Sequence, residues 1–417
     1  MTNFIYDKLR TIHVELTNNN CNAGCPLCPR NIFGGIQDPN LIISEISYDN
    51  FVEWFGPVVK NIRTWIFCGG WGDPCISKDI IPIVRYIREQ KNDAIININT
   101  NGGMRQKEFW IELGNLLNYF GGRITFSIDG LEDTNHLYRQ YVNWNKLMEN
   151  VKAYISTGSN AYWDYLIFKH NEHQLEEAEK FSKQLGFSQF IPKRAMGVEG
   201  NKKIGVHNRQ GKRTHYLESG LQEDSKNMGE GIEVKGSNDE EGIENFIKQL
   251  KNKKRDKIEE KIDPAVINFN PNTFEIDKER HTSLNKKTVQ CRVLSHPQHG
   301  LQEGENSTYI SSKGHVVPCC WMGTEMYMGM PTFELTQFKH FLYDHGHHNI
   351  SLHHNTLKDI YESNYFKKYE DSWSIPDIRK GKLAICAVNC GENNALLDLW
   401  KHNKNRVTYK WARDGKN

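Results

Sequence analysis

The residues with the clearest chemical potential are three cysteines near the start of the chain. Cys21, Cys25 and Cys28 form a C-x3-C-x2-C pattern directly after a predicted strand. A structural zinc ion usually takes four ligands from two cysteine pairs, so three thiolates in one short loop suit zinc poorly. They suit a cubane [4Fe–4S] cluster, in which three thiolates hold three irons and the fourth iron accepts another ligand. The spacing therefore predicts an iron–sulfur cluster with one open position.

A second group of cysteines lies near the C-terminus, where five of the ten cysteines are found. They include a Gly-x4-Cys pattern on a predicted hairpin and a later C-x3-C pair. Five thiols permit one fully ligated [4Fe–4S] cluster and one spare thiol. The expected ligands are Cys291, Cys319, Cys386 and Cys390. Cys320 could replace Cys319, because adjacent residues on a strand point to opposite faces. A zinc ion held by the same four residues is the alternative to the cluster.

Length and charge exclude several classes of protein. The 417 residues suffice for two to three domains and a large core. Lys and Arg number 53 and Asp and Glu 51, so the charge balance does not indicate a nucleic-acid partner. The N-terminus has no apolar signal segment, and no stretch approaches the ~20 apolar residues of a membrane span. We therefore expect a cytoplasmic protein with no membrane partner, whose cysteines serve metal or redox chemistry.

Strand and helix patterns alternate through the first half of the chain. Strands are predicted at residues 11–15, 64–67, 94–97, 123–127, 162–168 and 187–191. Helices are predicted at residues 48–61, 78–90, 105–117, 145–156 and 172–185. This alternation predicts an α/β fold with a parallel sheet, and six strands with five helices fit a partial (β/α)6 barrel. Ligands are then expected at the carboxyl ends of the strands.

Composition predicts three parts: a barrel core at residues 8–197, an insertion at 198–262 and a C-terminal α+β domain at 263–417. In residues 201–262, 26 of 62 side chains are charged, which favours a solvated, partly mobile insertion. A lid or substrate-docking arm is the functional alternative. Within the insertion one amphipathic helix is predicted at 243–250. The last part has strand signals at 307–310 and 316–318 and a helix at 357–369.

The cysteine triplet after the first strand of a βα repeat resembles the radical S-adenosylmethionine (SAM) superfamily. This resemblance implies that the amino and carboxylate groups of SAM chelate the open iron. One electron from the reduced cluster then cleaves SAM to methionine and a 5′-deoxyadenosyl radical, which abstracts hydrogen from a substrate. The implied partner is an external one-electron reductant of the flavodoxin or ferredoxin type.

The loops after the next strands resemble the SAM-binding loops of that superfamily. The segment Cys68-Gly69-Gly70-Trp71-Gly72-Asp73-Pro74 is similar to its Gly-Gly-Glu-Pro turn, which holds the SAM ammonium, although the acid comes two residues later. Trp71 is expected near the mouth of the site. The residues that the resemblance assigns to SAM are Gly69, Gly70, Asp73, Asn101, Ser127, Asp129 and Arg139. Ser127 and Asp129 would bind the ribose hydroxyls and Arg139 the carboxylate, with surface salt bridges as the alternative for Asp and Arg.

The C-terminal cysteines resemble the auxiliary-cluster extension called SPASM, whose full set is seven, or its shorter form, twitch. Five cysteines favour the twitch-like form with one auxiliary [4Fe–4S] cluster. The resemblance implies a peptide or protein substrate, modified by epimerisation or crosslinking. The alternatives are a small-molecule radical dehydrogenase that uses the auxiliary cluster as electron acceptor, and a non-catalytic iron–sulfur or zinc scaffold.

A spare cysteine could return a hydrogen atom to a substrate radical. Cys320 and Cys75 are the candidates for this catalytic role, and Cys75 borders the predicted SAM turn. The alternative is that each spare cysteine is a small buried hydrophobic residue.

Overall fold

The computed structural model describes residues 2–38, 41, 43–118, 122–195, 197–198, 202–220, 232–233, 237–252, 264–294, 301–328 and 332–391. Its strands are β1 (Leu9–Val14), β2 (Thr17–Asn18), β3 (Asn31–Ile32), β4 (Ile36–Gln37), β5 (Ser44–Glu45), β6 (Thr64–Phe67), β7 (Ile95–Thr100), β8 (Arg123–Ser127), β9 (Asn160–Ile167), β10 (Gln189–Arg194), β11 (Lys202–His207), β12 (Arg213–Glu218), β13 (Ile232–Glu233), β14 (Asn306–Ile310) and β15 (Val316–Val317). Its α-helices are α1 (Tyr48–Phe55), α2 (Ile80–Gln90), α3 (Lys107–Leu117), α4 (Asn135–Tyr138), α5 (Trp144–Ile155), α6 (Leu175–Leu185), α7 (Glu240–Asn252), α8 (Pro264–Ile267), α9 (Lys278–Asn285), α10 (Cys320–Glu325), α11 (Phe333–His345), α12 (Leu357–Glu362), α13 (Tyr365–Trp373) and α14 (Ala384–Cys390).

An eight-stranded sheet forms the centre of the protein. Its strand order is β10-β9-β8-β7-β6-β1-β14-β15. Neighbouring strands are parallel, except for the antiparallel pair β14–β15. The six predicted strands of the first half are β1 and β6 to β10, with helices in the connections between them. The predicted α/β class with a partial barrel is therefore confirmed.

The C-terminal part of the chain extends the same sheet. β14 lies parallel to β1, with Val14 opposite Ile310, and β15 turns back along β14. Gly314 lies in the turn between them with φ of +77°, a conformation that glycine adopts without steric cost. The predicted hairpin is thus present, but its first strand belongs to the barrel sheet. The three-part division of the chain stays a prediction.

Apolar side chains at helical and strand spacing explain how the core forms. In α2 the buried residues are Ile80, Ile83, Val84 and Ile87, which share one helix face. Trp65, Trp110 and Trp163 are fully buried in the same core. The N-cap Ser47 of α1 accepts a hydrogen bond from the Asn50 amide, which fixes where that helix begins.

The described part of the insertion forms a small sheet in the order β12-β11-β13. It packs on the segment that follows the cysteine triplet, because the His207 amide donates to the Phe33 carbonyl (2.9 Å). The Gln140 side chain donates to the His207 carbonyl (3.1 Å). The predicted helix at 243–250 lies within α7. The charged run at 253–263 lies outside the described residues, so the expected mobility of the insertion stays a prediction.

Among the described residues, no helix has both the length and the apolar character needed to cross a membrane.

Candidate functional site

The cysteine triplet lies in the loop between β2 and β3, beyond the carboxyl end of β1. Cys25 is buried, whereas Cys21 and Cys28 are partly exposed. Three N–H groups point at the thiols: the Ala23 amide and Asn101 Nδ2 reach Cys21 Sγ, each at 3.4 Å. Arg139 Nη1 reaches Cys25 Sγ, also at 3.4 Å. Such donors orient thiol ligands and stabilise negative charge on sulfur.

Burial controls the ionisation of these thiols. Burial, reinforced by Asp73, raises the pKa of Cys21 to about 12. Burial also raises the pKa of Cys25, although Arg139 opposes the shift. Because metal ligands must be thiolates, the loop requires a positively charged partner such as iron to become anionic at neutral pH.

Arg30 supplies an independent test of whether a cluster fits this loop. Its side chain is 2% exposed, and Nη2 donates to the Ala23 carbonyl (2.7 Å). Nη1 is buried and has no hydrogen-bond partner within the described part of the chain. A buried guanidinium N–H without an acceptor is costly, and the cationic group also lowers the pKa of nearby Cys21. An anionic iron–sulfur cluster in the loop would supply the missing acceptor, so the residues fit the group.

Asp73 holds the loops together rather than facing an open space. Its carboxylate accepts the Cys75 amide (3.0 Å) and the Thr100 hydroxyl (2.9 Å). The Asn101 amide and its Nδ2 both donate to Oδ2, each at 2.8 Å. These donors occupy both oxygens of the carboxylate, and Asp73 is 3% exposed. Asp73 therefore positions Asn101 beside Cys21, and its predicted contact with the SAM ammonium stays a prediction.

Asp129 and Arg139 form a buried ion pair next to the cysteines. Arg139 Nε donates to Asp129 Oδ2 (2.6 Å), and the Leu166 amide donates to Oδ1 (2.6 Å). Burial raises the pKa of Asp129, while Arg139 opposes that shift. The salt bridge that was the alternative for these two residues is therefore present, but it lies inside the protein and reaches Cys25, and their contacts with SAM stay a prediction. Ser127 lies at the end of β8, two residues before Asp129, and is partly exposed.

The glycine turn after β6 binds a carboxylate that the sequence patterns did not identify. The amides of Trp71 and Gly72 donate to Glu15 Oε1 (3.0 and 3.2 Å), and the Gly70 amide donates to Oε2 (3.2 Å). The Tyr309 hydroxyl donates to Oε2 as well (3.2 Å). Burial raises the pKa of Glu15 to about 8, although these four donors lower it. A glutamate at the end of the predicted strand 11–15 was the available signal.

Close approach, not positive φ, explains the glycines of this turn. A methyl group on Gly72 would lie 2.4 Å from the Thr17 carbonyl oxygen, and one on Gly70 would lie 3.0 Å from Glu15 Oε2. Gly69 is less constrained, with its nearest neighbours at 3.4 Å. None of the three has a positive φ. Crowding, and not the backbone conformation, therefore requires glycine at positions 70 and 72.

Trp71 is not at the mouth of the site. It is 1% exposed, and its Nε1 donates to the Thr324 carbonyl (2.9 Å) in α10. Its ring packs edge-on against Tyr327, with centroids 5.8 Å apart. The residue thus joins the glycine turn to the C-terminal part of the chain.

The four predicted auxiliary ligands line one small cavity of about 20 Å³. Cys291, Cys319, Cys386 and Cys390 all border it, together with apolar side chains. Burial raises the pKa of each thiol, and neighbouring cysteines raise the pKa of Cys291, Cys319 and Cys386 further. Four thiols sharing a small dry cavity fit a cysteine-ligated cluster.

The described residues contain no group of three His, Cys, Asp or Glu side chains arranged around a single metal ion. A cubane places each thiolate on a different iron, so its ligands stand farther apart than those of one ion. Cys319 is the N-cap of α10 and Cys320 its first residue. The two do not lie on one strand, so the expectation that they point to opposite faces of a strand has the wrong geometry.

The two candidate hydrogen donors occupy different environments. Cys75 is fully buried, and its amide is bound to Asp73. Cys320 is partly exposed and lies at the start of α10. Cys68, which the sequence did not single out, is within electrostatic range of Cys320 and Glu15. Exposure therefore favours Cys320 as a group that a substrate could reach.

Residues 16–182 match the family model described as the Radical SAM superfamily. The chain therefore carries a radical SAM domain over these residues, as the cysteine triplet and the loops after it indicate. The domain implies SAM and a [4Fe–4S] cluster as cofactors. No curated protein matches the chain.

Several solved structures are similar to this chain. SuiB from Streptococcus suis bound to S-adenosylmethionine has 14% identity over 92% of this chain and 73% of that one, with a TM-score of 0.47. A histidine-tagged form of anSMEcpe with bound AdoMet has 11% identity over 96% of this chain and 97% of that one, with a TM-score of 0.46. BtrN in complex with AdoMet and 2-DOIA has 12% identity over 92% of both chains, with a TM-score of 0.38. SuiB has also been crystallised with its precursor peptide SuiA.

Proposed function

We propose that this protein is a radical SAM enzyme that abstracts hydrogen from a peptide or protein substrate. Cys21, Cys25 and Cys28 would hold the [4Fe–4S] cluster. With SAM and one electron from an external donor of the flavodoxin or ferredoxin type, a cluster held there would supply a 5′-deoxyadenosyl radical, which would take a hydrogen atom from the substrate. The observation that carries the proposal is the convergence of the three thiols, Asn101 and Arg139 at one edge of the sheet.

The chain's own residues would bind and orient SAM and the cluster, and would exclude water from them. Asn101 and Arg139 donate to the cluster thiols, and Asp73 and Asp129 hold those two donors in place through buried hydrogen bonds. Ser127 and Asp129 are the proposed partners of the ribose, and Gly69 and Gly70 allow SAM to approach the backbone closely. Asp73, Asn101 and Asp129 are buried, which shields the hydrogen bonds among these loops from water and strengthens them.

An auxiliary [4Fe–4S] cluster on Cys291, Cys319, Cys386 and Cys390 is the second part of the proposal. The cavity that the four thiols share supports it, with Cys386 buried and the other three cysteines partly exposed. The C-terminal cysteine pattern, which resembles the extension found in peptide-modifying enzymes, supports a peptide substrate. The insertion is a candidate docking arm, because β11 packs beside the cysteine loop and His215 of β12 bonds to the Leu137 carbonyl (3.0 Å).

Anaerobic reconstitution tests this proposal with two reciprocal variants. The wild-type protein should hold ~8 irons per chain and form 5′-deoxyadenosine with a strong reductant. Cys21→Ser should lose SAM cleavage and retain ~4 irons, whereas Cys386→Ser should retain ~4 irons and still cleave SAM. A candidate peptide should change in mass or stereochemistry only with the wild-type protein. Zinc binding without SAM cleavage in the wild type would contradict the proposal.

A further inference from the structure

Glu15 stands at the junction of three strands. It directly follows β1, its amide donates to the Ile310 carbonyl at the end of β14 (2.9 Å), and it is 1% exposed. On the other side of β1, the Cys68 amide donates to the Val14 carbonyl (2.8 Å) at the end of β6. The carboxylate is thereby placed inside the glycine turn by backbone hydrogen bonds on both sides.

The glycine turn is wrapped around this carboxylate. Three successive amides, those of Gly70, Trp71 and Gly72, donate to its two oxygens. Successive N–H groups that converge in this way form an anion-binding nest. Without an acceptor, the buried amides of Trp71 and Gly72 and the partly buried amide of Gly70 would be unsatisfied, so the turn would rearrange. The conformation of the turn therefore depends on Glu15.

The same carboxylate belongs to a closed ring of contacts with the C-terminal part. Tyr309 of β14 donates to Glu15, and α10 packs against the Tyr309 ring so closely that a methyl group on Gly323 would lie 2.1 Å from it. The Thr324 carbonyl of α10 accepts a hydrogen bond from the indole N–H of Trp71. The Trp71 amide in turn donates to Glu15, which closes the ring. The ring connects the turn to the helix that begins directly after Cys319.

We propose that Glu15 is the positioning residue of the SAM site: from the end of β1 it holds the Gly69–Gly72 turn in the shape that accepts the methionine end of SAM. This inference rests on the proposed function and adds a residue to it. In this chain the turn has Trp71 where the family's motif has its acid, and the acid that organises the turn comes from the first strand. The titratable groups that face Glu15 are Tyr309, Cys68 and Cys320.

The test measures SAM binding separately from cluster assembly. Reconstituted protein is titrated with SAM, and the change in the EPR signal of the reduced cluster gives the affinity, while iron content is measured on the same samples. Above about pH 8, where Glu15 is ionised, Glu15→Gln replaces one of the two acceptor oxygens by an N–H donor with little change in shape, so the titration is made there. We expect SAM affinity to fall by roughly tenfold or more, with iron content unchanged. The KM for SAM should rise more than kcat falls.

Two further variants make the outcome decisive. Glu179→Gln removes another buried carboxylate, one paired with Lys183 on α6, and should bind SAM as the wild type does. Tyr309→Phe removes one donor to Glu15 and should weaken SAM binding by about threefold. Wild-type affinity in both Glu15→Gln and Tyr309→Phe, or a loss that only follows lost iron, would overturn the inference. If the wild-type protein with full iron content neither binds nor cleaves SAM, the proposed function itself is wrong.

Discussion

Glu15 should make the stability of the protein fall as pH rises through the neutral range. Burial raises its pKa from the ordinary 4.5 to about 8. Between these two values the folded protein holds a proton on Glu15 that the unfolded chain has released. The contribution of this group to stability is therefore fully present below pH 4.5 and is lost as pH rises through about 8.

The size of the effect follows from the same two values. Each pH unit between them changes the free energy of unfolding by ~1.4 kcal/mol per proton. The interval from pH 4.5 to about 8 thus corresponds to a loss of about 5 kcal/mol. Asp73 and Asp129, whose pKa values burial also raises, change stability in the same direction. Their contributions are the same in the wild type and in a Glu15 variant, so they cancel when the two unfolding free energies are subtracted.

Urea unfolding of metal-free, reduced protein at several pH values measures this loss. The unfolding free energy of the wild type minus that of Glu15→Gln should fall steadily from pH 4.5 to 8, because glutamine does not titrate. Glu179→Gln, which retains Glu15, should show the same slope as the wild type. A difference between wild type and Glu15→Gln that is independent of pH would mean that Glu15 is ionised throughout, and the burial argument would be wrong.

Three further changes have defined outcomes. Arg30→Gln removes a buried positive charge beside the loop of Cys21, Cys25 and Cys28. The midpoint potential of the reconstituted cluster should therefore fall by about 60 mV in an EPR redox titration. An unchanged potential would mean that Arg30 does not contact the cluster. Gly72→Ala places a methyl group 2.4 Å from a backbone carbonyl oxygen and should lower the free energy of unfolding by ~1–3 kcal/mol. Gly69→Ala should lower it by less, because its nearest neighbours lie at 3.4 Å. Equal losses in the two variants would contradict the crowding at Gly72. If the reaction returns hydrogen to the substrate, Cys320→Ser should abolish deuterium incorporation from solvent and Cys75→Ser should not, and the reverse result would reassign the donor.

The barrel elements were predictable because their patterns are local. Buried strands such as β6 and amphipathic helices such as α2 carry their periodicity in a few consecutive residues. The predicted helix at 357–369 is two helices, because Ser363 is extended (ψ of 173°) and ends α12. α11 was not predicted, since its buried face includes polar residues such as Gln337, whose amide bonds to the Ile378 and Lys382 carbonyls. Hydropathy does not reveal a face that is buried through polar contacts.

In the candidate site, too, the residues with local patterns could be predicted and those with distant partners could not. The cysteine triplet has a fixed spacing within one loop, and the family model covers the same region. Glu15 and Arg30 were missed because their roles depend on partners that the fold brings together. The amides that bind Glu15 lie 55 to 57 positions away, and Tyr309 lies 294 positions away. No local spacing encodes such pairs.

The junction of β1 with β14 connects the two groups of cysteines through one sheet. Because β14 is parallel to β1, its carboxyl end lies at the same edge of the sheet as the cysteine loop, and the short hairpin through β15 leads directly to Cys319. Polar contacts reinforce the junction at both ends: Arg63 forms a bidentate pair with Glu305 (3.0 and 2.6 Å), and Ser44 bonds to Ser312 (2.6 Å). A barrel lacking the C-terminal part would expose one edge of β1 and remove Tyr309 from Glu15. We therefore expect the C-terminal part to support the glycine turn as well as the proposed second cluster.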